Sequence, residues 1–300
     1  MSTKTLEGVL KNTNEYKTQF QGDEGEIISK YVDLPLTRLH YTKCGSGPPL
    51  IMVPATMSYI KDWITLIQFM GQKFTTYFFE LPGYGGSTPY KEKFSSKLVT
   101  KTIESFADKL KIDNFSIMGF SFGGILTLKA VDYLEDKIDK VILLSPCVSK
   151  EAMNFSKTRL FIARGLAYCL KNNLFRKLIS SKRFGTPFLS YLRKFGKIDI
   201  PIEEHLKKMP KRTLDILVYQ VNEVLNFKIK RNAPFKKNCH LAMSTKDPLL
   251  NFKKTKSIIK KTFENCYVYE FDHPYHQLTE KPTLGWLNKE LGWLLESCSN

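Results

Sequence analysis

Gly119-Phe120-Ser121-Phe122-Gly123-Gly124 sets a serine between small residues two positions to either side, directly after one apolar run and directly before another. A strand that runs straight into a helix with serine at the bend forces that residue into a tight turn. The hydroxyl is then exposed, and residues without side chains let strand and helix approach closely. The N–H of Phe122 falls at the helix N-terminus, where it is free and dipole-assisted and where a developing oxyanion would form. Such a serine is a nucleophile only if a base removes its proton.

The chain has five histidines: His40, His205, His240, His273 and His276. His40 and His240 read as strand residues, and His205 lies among charges. His273 and His276 follow the last strand-like run, in Phe271-Asp272-His273-Pro274-Tyr275-His276. His276 is favoured as the base, because five residues after the last apolar strand position leave a loop long enough to return over the sheet edge. His273 is the reserve. A carboxylate should hold the imidazole tautomer and stabilise the imidazolium. Asp247, in Ser244-Thr245-Lys246-Asp247-Pro248, follows the preceding strand; the other reading of this residue is a turn-forming Asp-Pro.

The elements that must position these groups alternate. Arg38–Thr42, Leu50–Val53, Thr75–Glu80, Phe115–Met118 and Val141–Leu144 read as strands, and fully apolar runs such as Leu50-Ile51-Met52-Val53 fit a parallel sheet buried on both faces. Between them, Lys61–Met70, Leu98–Leu110 and Phe122–Tyr133 carry apolar residues at helical spacing. This β-α repetition implies helices on both faces of the sheet. After Ser149 the strand rhythm stops. Arg159–Ser180 and Arg212–Phe227 read as amphipathic helices, and strands resume at His240–Met243 and Tyr267–Phe271 before a final helix at Leu284–Leu295. The division expected is an extension over 1–19, a core over 20–148 and 238–300, and a helical insertion over 149–237.

Charge marks the same division. Of the net +17, the segment Lys150–Lys237 holds 21 Lys or Arg against 6 Asp or Glu, while the rest of the chain is nearly balanced at 25 against 23. No recognised nucleic-acid motif accompanies the basic run, so nucleic acid is not the expected partner. The basic residues read either as a solvated face or, as the sharper alternative, as attraction to an anionic membrane surface, at about 1 kcal/mol for each basic residue near acidic lipid. The N-terminus shows no basic start followed by an apolar run, and no run approaches the roughly 18 apolar residues of a membrane span. Six cysteines, none in a Cys-x-x-Cys pair, fit reduced thiols in a cytoplasmic protein with no metal or redox motif.

The order Ser121, Asp247, His276 is that of the α/β-hydrolases, and the chain resembles that superfamily outside the insertion. Glu80-Leu81-Pro82-Gly83-Tyr84-Gly85-Gly86-Ser87 is similar to the family's Asp-x-Pro-Gly-x-Gly-x-Ser, with Glu80 in place of Asp. Glu280-Lys281-Pro282 resembles the Glu-x-Pro that commonly follows the family histidine. The resemblance implies a mostly parallel eight-stranded sheet, with a helical lid inserted between the sixth and seventh strands and no cofactor or metal. It also implies a second oxyanion donor from the backbone after the third strand. There the family usually has His-Gly-x and this chain has Pro54-Ala55-Thr56, so the donor would be the N–H of Thr56. Replacing Gly by Ala narrows the backbone choices, and loss of one donor costs about 10²–10³ in rate. Phe161, Leu166, Tyr168 and Leu170 are expected either to line an acyl pocket or to pack within the lid.

Two readings of function follow. The first is an esterase or lipase-like hydrolase of a carboxylic ester, with lipid and lysolipid among its candidate substrates. The second is a non-catalytic binding or scaffold protein on the same fold. Serine at the elbow, in place of aspartate, argues against epoxide hydrolase and dehalogenase chemistry.

Overall fold

The computed structural model describes residues 15–16, 27–169, 211–276 and 281–299, with isolated positions between 172 and 187. Among the described residues a nine-stranded sheet forms, in the order β1-β2-β3-β5-β4-β6-β7-β8-β9. Its strands are β1 (Glu15–Tyr16), β2 (Ile28–Asp33), β3 (Arg38–Cys44), β4 (Pro49–Val53), β5 (Thr75–Phe79), β6 (Phe115–Phe120), β7 (Ile138–Leu144), β8 (Phe235–Ser244) and β9 (Phe263–Phe271). The eight expected strands are β2 to β9. The two-residue β1 adds to their edge and shifts the strand count by one. The sheet is mixed: β1, β2, β3 and β5 pair antiparallel, and the pairs from β5 through β9 are parallel.

The helices are α1 (Ile60–Gly71), α2 (Ser96–Lys109), α3 (Phe122–Leu134), α4 (Lys157–Cys169), α5 (Lys211–Asn226), α6 (Phe252–Thr262) and α7 (Leu284–Ser299). Because successive strand residues face opposite sides, the apolar runs feed two cores. Ile51, Val53, Ile117, Val141 and Leu143 pack with residues of α2, α3 and α6. Their neighbours Leu50, Met52, Met118, Phe120 and Ile142 pack with α1 and α7. Each fully buried Ile, Val, Leu or Phe contributes about 1.5–3 kcal/mol, and this double burial is why those strands contain no alternating polar residues.

The expected helix over Arg159–Ser180 is described as α4, which ends at Cys169. Phe161 and Tyr168 point into solvent, at 78% and 76% exposure. Among the described residues these two therefore neither line a pocket nor pack within the insertion, a correction to both expectations made for them. The Leu166 side chain, Leu170 and His205 lie outside the described residues. In contrast, α5 is tied firmly to the body of the fold. Ile216 is buried against Gly83, and Tyr84 donates its hydroxyl to Gln220 Oε1 at 3.2 Å. Lys129 on α3 pairs with Glu223 and donates to Ser96 Oγ at 2.6 Å, and the Ser96 amide donates to the Tyr219 hydroxyl at 3.0 Å.

Candidate active site

Parallel register brings the C-terminal ends of the central strands to one edge. Val53 lies opposite Gly119, Phe120 opposite Leu144, Leu144 opposite Ala242, and Ser244 opposite Phe271. The loops leaving β4, β6, β7, β8 and β9 thus emerge together, in the crevice where open α/β sheets bind ligands.

Ser121 sits between β6 and α3 with φ 51° and ψ −117°. A non-glycine residue in this region carries about 1–3 kcal/mol of strain and persists only where its surroundings hold it. They do so here: the Ser121 amide donates to Leu144 O at 3.2 Å, and its carbonyl accepts from Gly124 N at 2.9 Å and Cys147 N at 2.8 Å. Two flanking glycines are dictated by close approach. A Cβ on Gly119 would lie 2.3 Å from Thr127 Oγ1, and one on Gly123 would lie 2.4 Å from the Val53 carbonyl oxygen.

The Ser121 hydroxyl lies 2.8 Å from His276 Nε2, and His276 Nδ1 lies 2.7 Å from Asp247 Oδ2. Asp247 is 3% exposed. Its other oxygen accepts the amides of Leu249 and Leu250 at 2.8 and 2.9 Å, so the turn-forming role and the imidazole contact coexist in one carboxylate. The Phe120 ring stacks on the His276 imidazole, with centroids 5.5 Å apart and planes 24° apart, and Trp63 packs edge-on against Phe120.

His273 is held away from this group. Ser244 Oγ accepts its amide at 2.9 Å and donates to its carbonyl, and the His273 ring packs 5.0 Å from that of Trp286. The amides of Thr56 and Phe122, the expected oxyanion donors, make no hydrogen bond to another group among the described residues. Phe122 opens α3, and the strand leading to Thr56 presses its Val53 and Pro54 carbonyls against Gly123.

Two contributors escaped the sequence reading. Cys147 lies 3.8 Å from the Ser121 hydroxyl, and burial pushes its thiol up to about 12, so it is a neutral neighbour. Asn154 donates to the carbonyls of Asp247 and Leu250 at 2.8 and 2.9 Å, tying the segment that follows β7 to the loop bearing Asp247. Neither residue type stands out without the fold. Among the described residues no group of three or more His, Cys, Asp or Glu side chains could hold a metal ion.

Residues 48–180 match the family model for the alpha/beta hydrolase fold. Together with the sheet order and the strand–serine–helix turn, this defines the chain as an α/β-hydrolase-fold protein. It is similar to the Abhydrolase domain-containing protein abhd-5.2 of Caenorhabditis elegans, at 28% identity over 104 residues, covering 33% of this chain and 23% of the relative. It is likewise similar to the pimeloyl-[acyl-carrier protein] methyl ester esterase of Nitrosomonas europaea, at 24% over 119 residues, 39% of this chain and 45% of the esterase. These matches thus span less than half of each relative. In structure it resembles a membrane phospholipase A described as a bacterial virulence factor, with a TM-score of 0.67 at 12% identity over 91% of this chain and 86% of that one.

Proposed function

We propose that the chain is a serine hydrolase that cleaves a carboxylic ester through an acyl-enzyme on Ser121. The observation that carries this reading is the unbroken hydrogen-bonded line from buried Asp247 through His276 to a serine in left-handed backbone at a helix N-terminus. His276 Nε2 takes the Ser121 proton as the hydroxyl attacks the ester carbonyl, then returns it to the leaving alkoxide. Asp247 fixes the tautomer that leaves Nε2 free to accept, and it stabilises the imidazolium. Phe120 covers one face of that cation with an aromatic ring. The Phe122 and Thr56 amides receive the oxyanion; because the backbone supplies them, Ala55 in place of Gly leaves the donor itself intact. Water then releases the acid by the same base. The chemistry calls for no cofactor or metal.

The insertion over 149–237 is read as a lid on the core of 20–148 and 238–300. Its basic charge, together with the solvent-facing Phe161 and Tyr168, supports peripheral contact between a cytoplasmic protein and anionic membrane, and hence a lipid or lysolipid ester as substrate. No described helix is long and apolar enough to cross a membrane. Turnover of p-nitrophenyl esters of graded acyl length tests the reaction: wild type should hydrolyse at least one of them, and Ser121→Ala should not. No turnover of any ester would leave the binding-protein reading in its place. Co-sedimentation with phosphatidylserine vesicles tests the lid, and binding that resists high salt would contradict an electrostatic origin.

A further inference from the structure

Cys239 on β8 and Cys266 on β9 are partners in the parallel register of the last two strands. Paired strands lie about 4.7–4.9 Å apart, within the Cα separation of roughly 4.4–6.8 Å that a disulfide spans. Both side chains face the α6 side of the sheet, where Cys239 is fully buried in the core and Cys266 packs against it. Each thiol is among the groups that shift the other's protonation. Cys266 is half-buried on β9, the strand at the sheet edge, and so is the member of the pair that solvent reaches.

We propose that Cys266 and Cys239 form a reversible thiol–disulfide site that answers to small hydroperoxides, Cys266 reacting first and Cys239 resolving. Their surroundings divide the two roles. The neighbouring Cys239 thiol lowers the Cys266 thiol below the usual cysteine range, and Lys260 and Lys256 of α6 reinforce it. Lys256 also pairs with Glu270 at 2.7 Å, which leaves Lys260 the less compensated charge. Burial raises Cys239, keeping it protonated and shielded from the oxidant. A solvent-reachable thiol with a lowered pKa beside a buried resolving thiol is the arrangement of a redox-responsive pair.

In the first step Cys266 sulfur attacks the hydroperoxide: an S–O bond forms, the O–O bond breaks, and the alkoxide takes a proton to leave as alcohol. Cys239 sulfur then attacks the sulfenic acid. The S–S bond forms, the S–O bond breaks, and hydroxide leaves with the Cys239 proton as water. Two thiols and one hydroperoxide thus yield one disulfide, one alcohol and one water. The site stands independently of the hydrolase reading.

The test is hydrogen peroxide treatment of the full-length chain, alkylation of remaining thiols, and non-reducing peptide mapping. A dithiothreitol-reversible crosslink between the peptides holding Cys239 and Cys266 is expected. In Cys239→Ser the crosslink should vanish while Cys266 becomes trappable by dimedone. In a Lys256→Met/Lys260→Met variant, Cys266 alkylation at pH 7 should slow by several-fold, a readout that needs no change in folding. Cys266 left reduced while other cysteines oxidise, or Cys266 oxidised in wild type without linking to Cys239, would overturn the proposal.

Discussion

Two serine–histidine–carboxylate chains occur among the described residues, and their hydrogen bonds are nearly interchangeable. In one, Ser121 Oγ lies 2.8 Å from His276 Nε2 and His276 Nδ1 lies 2.7 Å from Asp247. In the other, Ser29 Oγ lies 2.7 Å from His40 Nε2 and His40 Nδ1 lies 2.9 Å from Glu80. The difference is in the backbone beneath the serine. Ser29 sits in an ordinary antiparallel ladder opposite Thr42, whereas Ser121 is held at φ 51° where a helix begins. Among the described residues Ser29 lies within β2, which is followed by β3 and not by a helix, and the His40 ring is stacked on Tyr31. Glu80 is committed to structure: besides His40 it accepts the amides of Ile60 and Gly86 at 3.1 and 2.6 Å, bracing the turn after β5. On the proposed reading, a hydrogen-bonded triad is therefore not in itself a catalytic one. What separates the two is a strained serine beside unused amides.

The largest expected effect separates the two serines. Ser121→Ala should lower ester turnover by about 10⁴-fold or more, whereas Ser29→Ala should stay within about twofold, as measured by initial rates at saturating ester. Comparable losses from both would erase the distinction.

The histidines should divide the same way. His276→Ala should match the loss in Ser121→Ala, and the double variant should be no worse, because the groups act as a unit. His273→Ala should retain near-wild-type turnover; equal losses at 273 and 276 would break the assignment.

At the carboxylates the expected readouts differ in kind. Asp247→Asn should cost about 10²–10⁴ in kcat with a folded protein. Glu80→Gln should leave kcat nearly unchanged but destabilise by about 1–3 kcal/mol, because a donor group then faces the amides that the carboxylate accepts. Calorimetric melts of both variants check this.

The smallest effect concerns His240, a buried histidine whose Nδ1 lies 3.0 Å from the Tyr269 hydroxyl and whose pKa burial pushes down to about 4. The unfolded imidazole, near 6.5, binds a proton before the folded one does, so stability is full above about pH 6.5 and declines as pH falls toward 4. Wild type should lose melting temperature over that window more steeply than His240→Gln; parallel curves would contradict the burial argument.

The contrast also explains what was legible in the sequence. The serine turn could be read because its glycines answer a local steric demand, and Asp247 and His276 because each follows a strand whose apolar run is plain. β2 could not be read so, because Ser29 occupies one of its two buried positions and breaks the apolar alternation. α6 was hidden by Phe252-Lys253-Lys254-Thr255-Lys256, where the buried residues are Thr255, Ile259 and Thr262 and apolar periodicity is thin. Glu80 registered as a departure from a motif, yet its reach to three donors across two loops exists only once β3, β5 and α1 are packed. The choice between His273 and His276 rested on loop length alone. In the structure Ser244 and Trp286 hold His273 apart, contacts between segments distant in sequence.

The central claim is that Ser121, and not the equally hydrogen-bonded Ser29, is the nucleophile. Labelling the wild-type chain with a fluorophosphonate and mapping the adduct by peptide mass spectrometry tests it most directly. A single adduct on Ser121, absent in Ser121→Ala, is expected; an adduct on Ser29, or none while a control hydrolase is labelled, would contradict it.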